Sequence, residues 1–160
     1  MNKLDPPLDS IDLHILDALQ TDASLSTADL ATVVGLSQSP CWRRLSRLKD
    51  VGYIKDQVTL LNAEKLGFNT LVFAHVKLSA HGRSNLTEFS DAIRRLPEVV
   101  ECYAIMGAFD FLLRIITSDV KAYEQFVFGR LSNLPTVQEI NSTIALSEIK
   151  STTSLPIRRR

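Results

Sequence analysis

The 160-residue sequence predicts an α+β chain in two parts, three short helices followed by a β-α-β-β-α-β sheet domain. Apolar spacing is helical from Ser10 onward, and after Gly52 segments of alternating character begin. The form LPxVxE occurs twice, at Leu96–Glu101 and Leu134–Glu139, each time between a helical pattern and a strand pattern. The basic residues are also unevenly placed. The stretch from Gly35 to Lys55 sets Arg43, Arg44, Arg47, Lys49 and Lys55 against a single acid, Asp50, in a chain whose 18 basic and 18 acidic residues cancel.

In the first part, Ile11, Ile15 and Leu19 share one stripe, widened by Leu16 and Ala18, and Asp9 is placed to cap that helix. Four acids, Asp9, Asp12, Asp17 and Asp22, punctuate it with no Lys or Arg among them. Ser26 caps a second helix with Asp29 three residues on, an acidic variant of the capping box. Leu30, Ala31 and Val34 form its apolar side, and Gly35 supplies the left-handed residue that stops it. Ser37 caps a third helix with Pro40 in its first turn, where a missing N–H costs nothing. Tyr53–Asn62 reads as a short hairpin.

In the second part, Leu71–Ser79 alternates as a half-buried strand with Val72, Ala74, Val76 and Leu78 on one side. A helix over Asn85–Leu96 aligns Leu86, Phe89, Ile93 and Leu96. Strands over Val99–Ile105 and Phe111–Thr117 flank a tight turn, a second helix covers Ser118–Leu131, and a long strand follows from Val137 to Lys150. Two β-α-β halves in this order give the split βαβ, or ferredoxin-like, arrangement. Both helices then lie on one sheet face, and the bare face predicts a dimer through the sheet.

Composition narrows the function classes. A hydrophobic fraction of 45% suits a globular protein, and the sequence pI of about 6.8 argues against a uniformly basic nucleic-acid coat. The N-terminal stretch lacks an apolar signal region, no apolar run approaches a membrane span, and Cys41 and Cys102 fit no disulfide framework or metal spacing. A cytoplasmic protein without cofactor, metal or catalytic residues is expected. His14, His75 and His81 form no catalytic or metal-binding spacing, and Cys41 and Cys102 are read as packing residues.

At about 100° per residue, Cys41, Leu45 and Leu48 form a narrow inward stripe, with Arg44, Arg47 and Arg43 fanned along the adjacent flank. Ser39 faces outward with them. Cap, glycine turn, second cap and basic helix occur in the order of a helix-turn-helix, and the hairpin behind them makes a wing. Arginine suits phosphate neutralisation and bidentate contact to guanine. The expected DNA-binding set is Ser37, Gln38, Ser39, Trp42, Arg43, Arg44, Arg47 and Lys55. The partner is double-stranded operator DNA, with the Arg158–Arg160 tail adding non-specific attraction.

These stretches, from Leu8 to Lys55, from Leu96 to Ile115 and from Ile144 to Ile157, resemble the Lrp/AsnC (feast/famine) family of transcription regulators. The resemblance implies a winged helix-turn-helix over residues 1–60, a connector over 61–69 and a ferredoxin-like ligand-sensing and oligomerisation domain over 70–160. It implies a homodimer, often four dimers in an octameric ring, and an amino-acid effector bound between dimers. Carried over by position, the effector residues are Ala104, Met106, Gly107 and Asp110 with Ser142, Thr143 and Ile144. Gly107 would present backbone N–H groups to a carboxylate, and Asp110 would receive an ammonium. Ala108 departs from the family, which commonly has a polar residue before the aromatic. Ser39–Trp42 and Thr152–Pro156 resemble a subgroup that regulates amino-acid catabolism or detoxification. Two other functions share these features: a tetrapyrrole decarboxylase-like enzyme of the same architecture, which would need His75 or His81, and an architectural DNA-compacting protein.

Overall fold

The computed structural model describes residues 7–80 and 86–157. Asn85, His81 and the Arg158–Arg160 run lie outside the described residues. The chain forms two compact units. One comprises the stretch to Leu60 with the segment from Lys150 onward, the other residues 61–149.

The first unit is trihelical: α1 (Ser10–Thr21), α2 (Thr27–Val34) and α3 (Gln38–Asp50). Ile15, Leu30, Ala31, Val34, Cys41 and Leu48 form its core, with Ile11, Leu16, Leu19 and Leu45 packed around them. The reciprocal capping box is at Asp9 and Asp12, where each side chain accepts the other residue's backbone N–H. Ser26 does cap α2, but Asp29 returns its carboxylate to the Ser26 hydroxyl at 2.6 Å instead of to the backbone. Both α2 and α3 end in the same six-residue closure. Leu36 N–H donates to the Ala31 carbonyl, and Tyr53 N–H to that of Leu48, each at 2.9 Å. Gly35 and Gly52, at φ of 71° and 89°, supply the left-handed turn these closures require.

The expected hairpin after Gly52 is absent: no residue from Val51 to Asn69 is in a strand. Ile54 packs back onto the helical core, while Val58, Leu60 and Leu61 stay exposed, with no apolar face of a partner strand to pair against. Gln57 instead donates its amide to the Ala23 carbonyl. A single 3₁₀ turn, Glu64–Leu66, follows.

The second unit runs β1 (Thr70–Leu78), α4 (Leu86–Arg94), β2 (Val99–Ala104), β3 (Phe111–Thr117), α5 (Val120–Phe126) and β4 (Val137–Ile144). The sheet order is β2-β3-β1-β4, antiparallel throughout, as a ferredoxin-like arrangement demands. Val72, Ala74, Val76, Leu78, Leu113 and Ile115 are buried on one face beneath Phe89, Ile93, Tyr123 and Phe126. Leu71, Phe73, His75, Leu112, Arg114 and Ile116 occupy the other face and are only half-buried.

The sequence echo is a structural one. Val99 N–H closes onto the Leu96 carbonyl at 3.1 Å and Val137 N–H onto that of Leu134 at 2.9 Å. The carbonyls of Glu98 and Thr136, at matching places, then accept from Ile116 and Ser79, so each repeat docks on its neighbouring strand alike.

Two expected elements differ. The helix to Leu131 is α-helical only through Phe126 and ends in a π-helical turn, Val127–Leu131, which Ser132 closes by donating to the Val127 carbonyl. The last strand stops at Ile144, not Lys150, because β1, its antiparallel partner, begins at Thr70. From Lys150 onward the chain, assigned from sequence to the sheet domain, belongs to the trihelical unit. There the Gln20 amide donates to the Leu155 carbonyl at 3.0 Å and accepts its N–H at 2.9 Å.

Candidate nucleic-acid interface and effector turn

Helix α3 meets its expected pattern on the inner side and departs from it on the outer side. Cys41 and Leu48 are buried and Leu45 packs against them. Of the residues read as DNA contacts, Ser37, Gln38, Ser39, Trp42, Arg43 and Lys55 are exposed. Ser37 is the N-cap by backbone geometry, yet its hydroxyl makes no capping bond. Trp42, at 61% exposure, is not a brace for the trihelical core.

Arg44 and Arg47 do not face outward as a free row. Arg44 Nη1 lies 2.6 Å from Asp9 Oδ2 and 2.9 Å from Asp12 Oδ1, and Arg47 Nη2 pairs with Asp12 Oδ2. Asp12 is 1% exposed. A carboxylate taken out of water needs charged hydrogen-bond donors on its lone pairs, and the two guanidiniums of α3 are those donors. The Asp12 N–H and then the Arg44 guanidinium hold the Asp9 carboxyl below its ordinary pKa, and the two carboxylates raise that of Arg44. The acids of α1 and the bases of α3 are thus one network. A signal for it exists in the sequence: Asp12 lies at helical spacing with Leu8, Ile15 and Leu19, on the apolar stripe.

At the β2–β3 turn, Ala104, Met106 and Gly107 are exposed, and Met106 projects fully into solvent. Gly107 has φ of 148°, which favours glycine. Asp110 is turned inward. Its N–H donates to the Val76 carbonyl, its carbonyl accepts from Ile105 N–H, both at 2.9 Å, and its Oδ2 accepts from Leu78 N–H at 2.7 Å. Through Oδ2 this carboxylate holds the end of β1.

Ser142, Thr143 and Ile144 lie on β4, at the opposite sheet edge from β2, with β3 and β1 between. Three strand spacings, about 14 Å, separate the two sets, so one chain does not bring them to one place. Ser142 Oγ is engaged by the Tyr123 hydroxyl. Ser142 and Ile144 border a groove of about 570 Å³ between α5 and β4, walled by Val120, Tyr123, Val127 and Phe128. The sequence reading did not anticipate this groove. Its signal is that Val120 and Phe128 remain exposed, at 54% and 68%, in and just beyond α5.

His75, required by the decarboxylase-like alternative, sits on the open sheet face with its ring 5.5 Å from that of Phe109. Among the described residues, no three His, Cys, Asp or Glu side chains group as metal ligands. No helix there is long and apolar enough to cross a membrane.

Residues 71–155 match the model of the Lrp/AsnC ligand binding domain, and residues 8–49 that of the AsnC-type helix-turn-helix domain. The chain belongs to the Lrp/AsnC family. Among relatives, it is 43% identical over 145 residues to a proline dehydrogenase transcriptional activator of Rhizobium radiobacter, covering 91% of this chain and 93% of that protein. It is 35% identical to the leucine-responsive regulatory protein of Escherichia coli, covering 96% and 93%. Among solved structures, a Neisseria meningitidis transcriptional regulator in complex with L-Met superimposes with a TM-score of 0.89 at 36% identity, over 94% of this chain and 97% of that one. This Lrp/AsnC chain is a DNA-binding transcription regulator, and these comparisons favour that reading over the decarboxylase-like one.

Proposed function

We propose that this Lrp/AsnC regulator works as a homo-oligomer that binds operator DNA through the exposed side of α3 and answers to a free amino acid. The observation that carries the DNA half is α3 itself, a helix-turn-helix second helix with Gln38, Ser39, Trp42 and Arg43 exposed. For the effector half, the β2–β3 turn offers exposed backbone at Gly107, and the L-Met complex of the Neisseria relative supports an amino-acid ligand. Because Ala104, Met106 and Gly107 lie across the sheet from Ser142–Ile144, the effector site joins the turn of one copy to β4 of another. Asp110 acts there by shaping the turn. The half-buried apolar face bearing Phe73, Leu112 and Ile116 supports pairing of two sheets. The relatives' names support amino-acid metabolism genes as targets, and the site of action in this reading is the cytoplasm.

Effector binding between copies changes the assembly, and with it the spacing of the DNA-binding units relative to operator half-sites. A thermal-unfolding screen against the twenty amino acids tests this. A selective ligand stabilises by mass action, by about 2.7 kcal/mol at a hundredfold excess over Kd. One hit that also alters retardation of upstream DNA is expected. A flat screen with DNA binding intact would remove the amino acid from the proposal.

A further inference from the structure

We infer that Asp12 is a positioning residue for operator reading: it withdraws Arg44 and Arg47 from the DNA and leaves Trp42 and Arg43 as the residues that determine sequence preference. The inference rests on the reading of α3 as the DNA-contacting helix. Both oxygens of the buried Asp12 carboxylate are occupied, one by each guanidinium, and Asp9 takes a second contact from Arg44. Swinging either arginine to a phosphate would take a charged donor from a buried carboxylate, which costs more than an exposed phosphate contact returns. Two positive charges of α3 are therefore cancelled by two negative charges of α1, inside one rigid cluster.

The outward arc of α3 is then defined by what remains. At about 100° per residue, Trp42, Ser46, Ser39 and Arg43 fall within about 100° of arc, on the far side from Arg44. Trp42 and Arg43 are exposed, and among the described residues Arg43 has no salt-bridge partner. Their chemistry is complementary: a flat apolar surface suited to a thymine methyl, and a guanidinium suited to guanine O6 and N7. Clamping two arginines one turn apart fixes the rotation of α3 about its own axis, and that rotation decides which side chains reach the groove floor.

Full-length protein tests this. The wild type first enriches its preferred duplex from a randomised pool, and affinity is then measured for that duplex and a scrambled one over a salt series. Asp12→Asn is expected to lose about tenfold or more on the selected duplex and little on the scrambled one. Its salt slope should not fall below that of the wild type, since no phosphate contact is removed. If the arginines were phosphate contacts in the wild type, Arg44→Ala and Arg47→Ala would each lower the salt slope by about 0.9 and weaken binding to both duplexes alike. That result overturns the proposal. Trp42→Ala and Arg43→Ala, at exposed positions, are expected to enrich a different base at one or two half-site positions. They decide the matter if Asp12→Asn loses the wild-type far-UV dichroism, and an unchanged enriched sequence from both overturns it. An enrichment in which the wild type itself returns no sequence overturns the α3 reading. An enriched sequence that wild type and Asp12→Asn bind alike overturns this inference alone.

Discussion

Arg47 shows how burial of a partner redirects a charged side chain. On a helical wheel it belongs with Arg43, facing out, yet its guanidinium pairs with a carboxylate that is 1% exposed. Arg47→Ala should therefore destabilise the trihelical unit by about 2 kcal/mol, read in urea unfolding, because Asp12 keeps its burial and loses a charged donor. Unchanged stability with lost operator binding would return Arg47 to the DNA. Asp9 carries a pH signature. Its carboxyl is held below the ordinary value by the Asp12 N–H and Arg44, so the folded state binds its proton less readily than the unfolded chain. The stabilisation is complete above the ordinary carboxylate range and is lost as pH falls through the depressed value. The difference in Tm between wild type and Asp9→Asn should shrink steadily on acidification below about pH 4.

Helices and strands were legible wherever one periodicity dominated. β1 and β3 alternate buried and half-buried residues along their whole length, and the period-two pattern of Leu71–Leu78 and Phe111–Thr117 states this directly. The hairpin after Gly52 was misread because Val58 and Leu60 alternate like a strand while nothing in a local pattern says whether a partner strand exists. The π-helical turn was invisible for a related reason: Val127 and Leu131 fit helical spacing, and the widened turn depends on Ser132 and Asn133 capping carbonyls from outside it. At this scale Phe89 is the keystone. It is fully buried between α4 and the sheet, with its ring 4.6 Å from that of Phe111. Phe89→Ala should cost about 3–5 kcal/mol in the sheet unit. Two separate unfolding transitions, with only one displaced, would show that the two units melt independently.

For the whole molecule, the open sheet face is the feature with the largest consequence. Phe73, Leu112 and Ile116 alternate outward between the buried residues of β1 and β3, and α4 and α5 pack on the opposite face. Sedimentation of Phe73→Glu should show a shift to a smaller species at micromolar concentration, with far-UV dichroism retained. Its thermal midpoint should lose the concentration dependence expected of the wild-type assembly. An assembly unchanged in size would move the interface off the sheet. The chain's path also matters here. The segment from Lys150 onward belongs to the trihelical unit, where Gln20 and Leu155 exchange two hydrogen bonds.

Periodicity, caps and turn glycines determined the order of elements, the inner face of each helix, the buried side of β1 and β3 and the twice-used LPxVxE junction. These follow from local rules, where a residue's neighbours in sequence are its neighbours in space. Tertiary structure decided the rest: that Asp12 is buried and claims Arg44 and Arg47, that Asp110 closes β1, and that the last residues leave the sheet. It also decided that Ala104 and Ser142 lie at opposite edges of one sheet. Each of these outcomes depends on which distant group removes water from a charge or supplies a partner to a backbone, and helical or strand spacing carries no record of that.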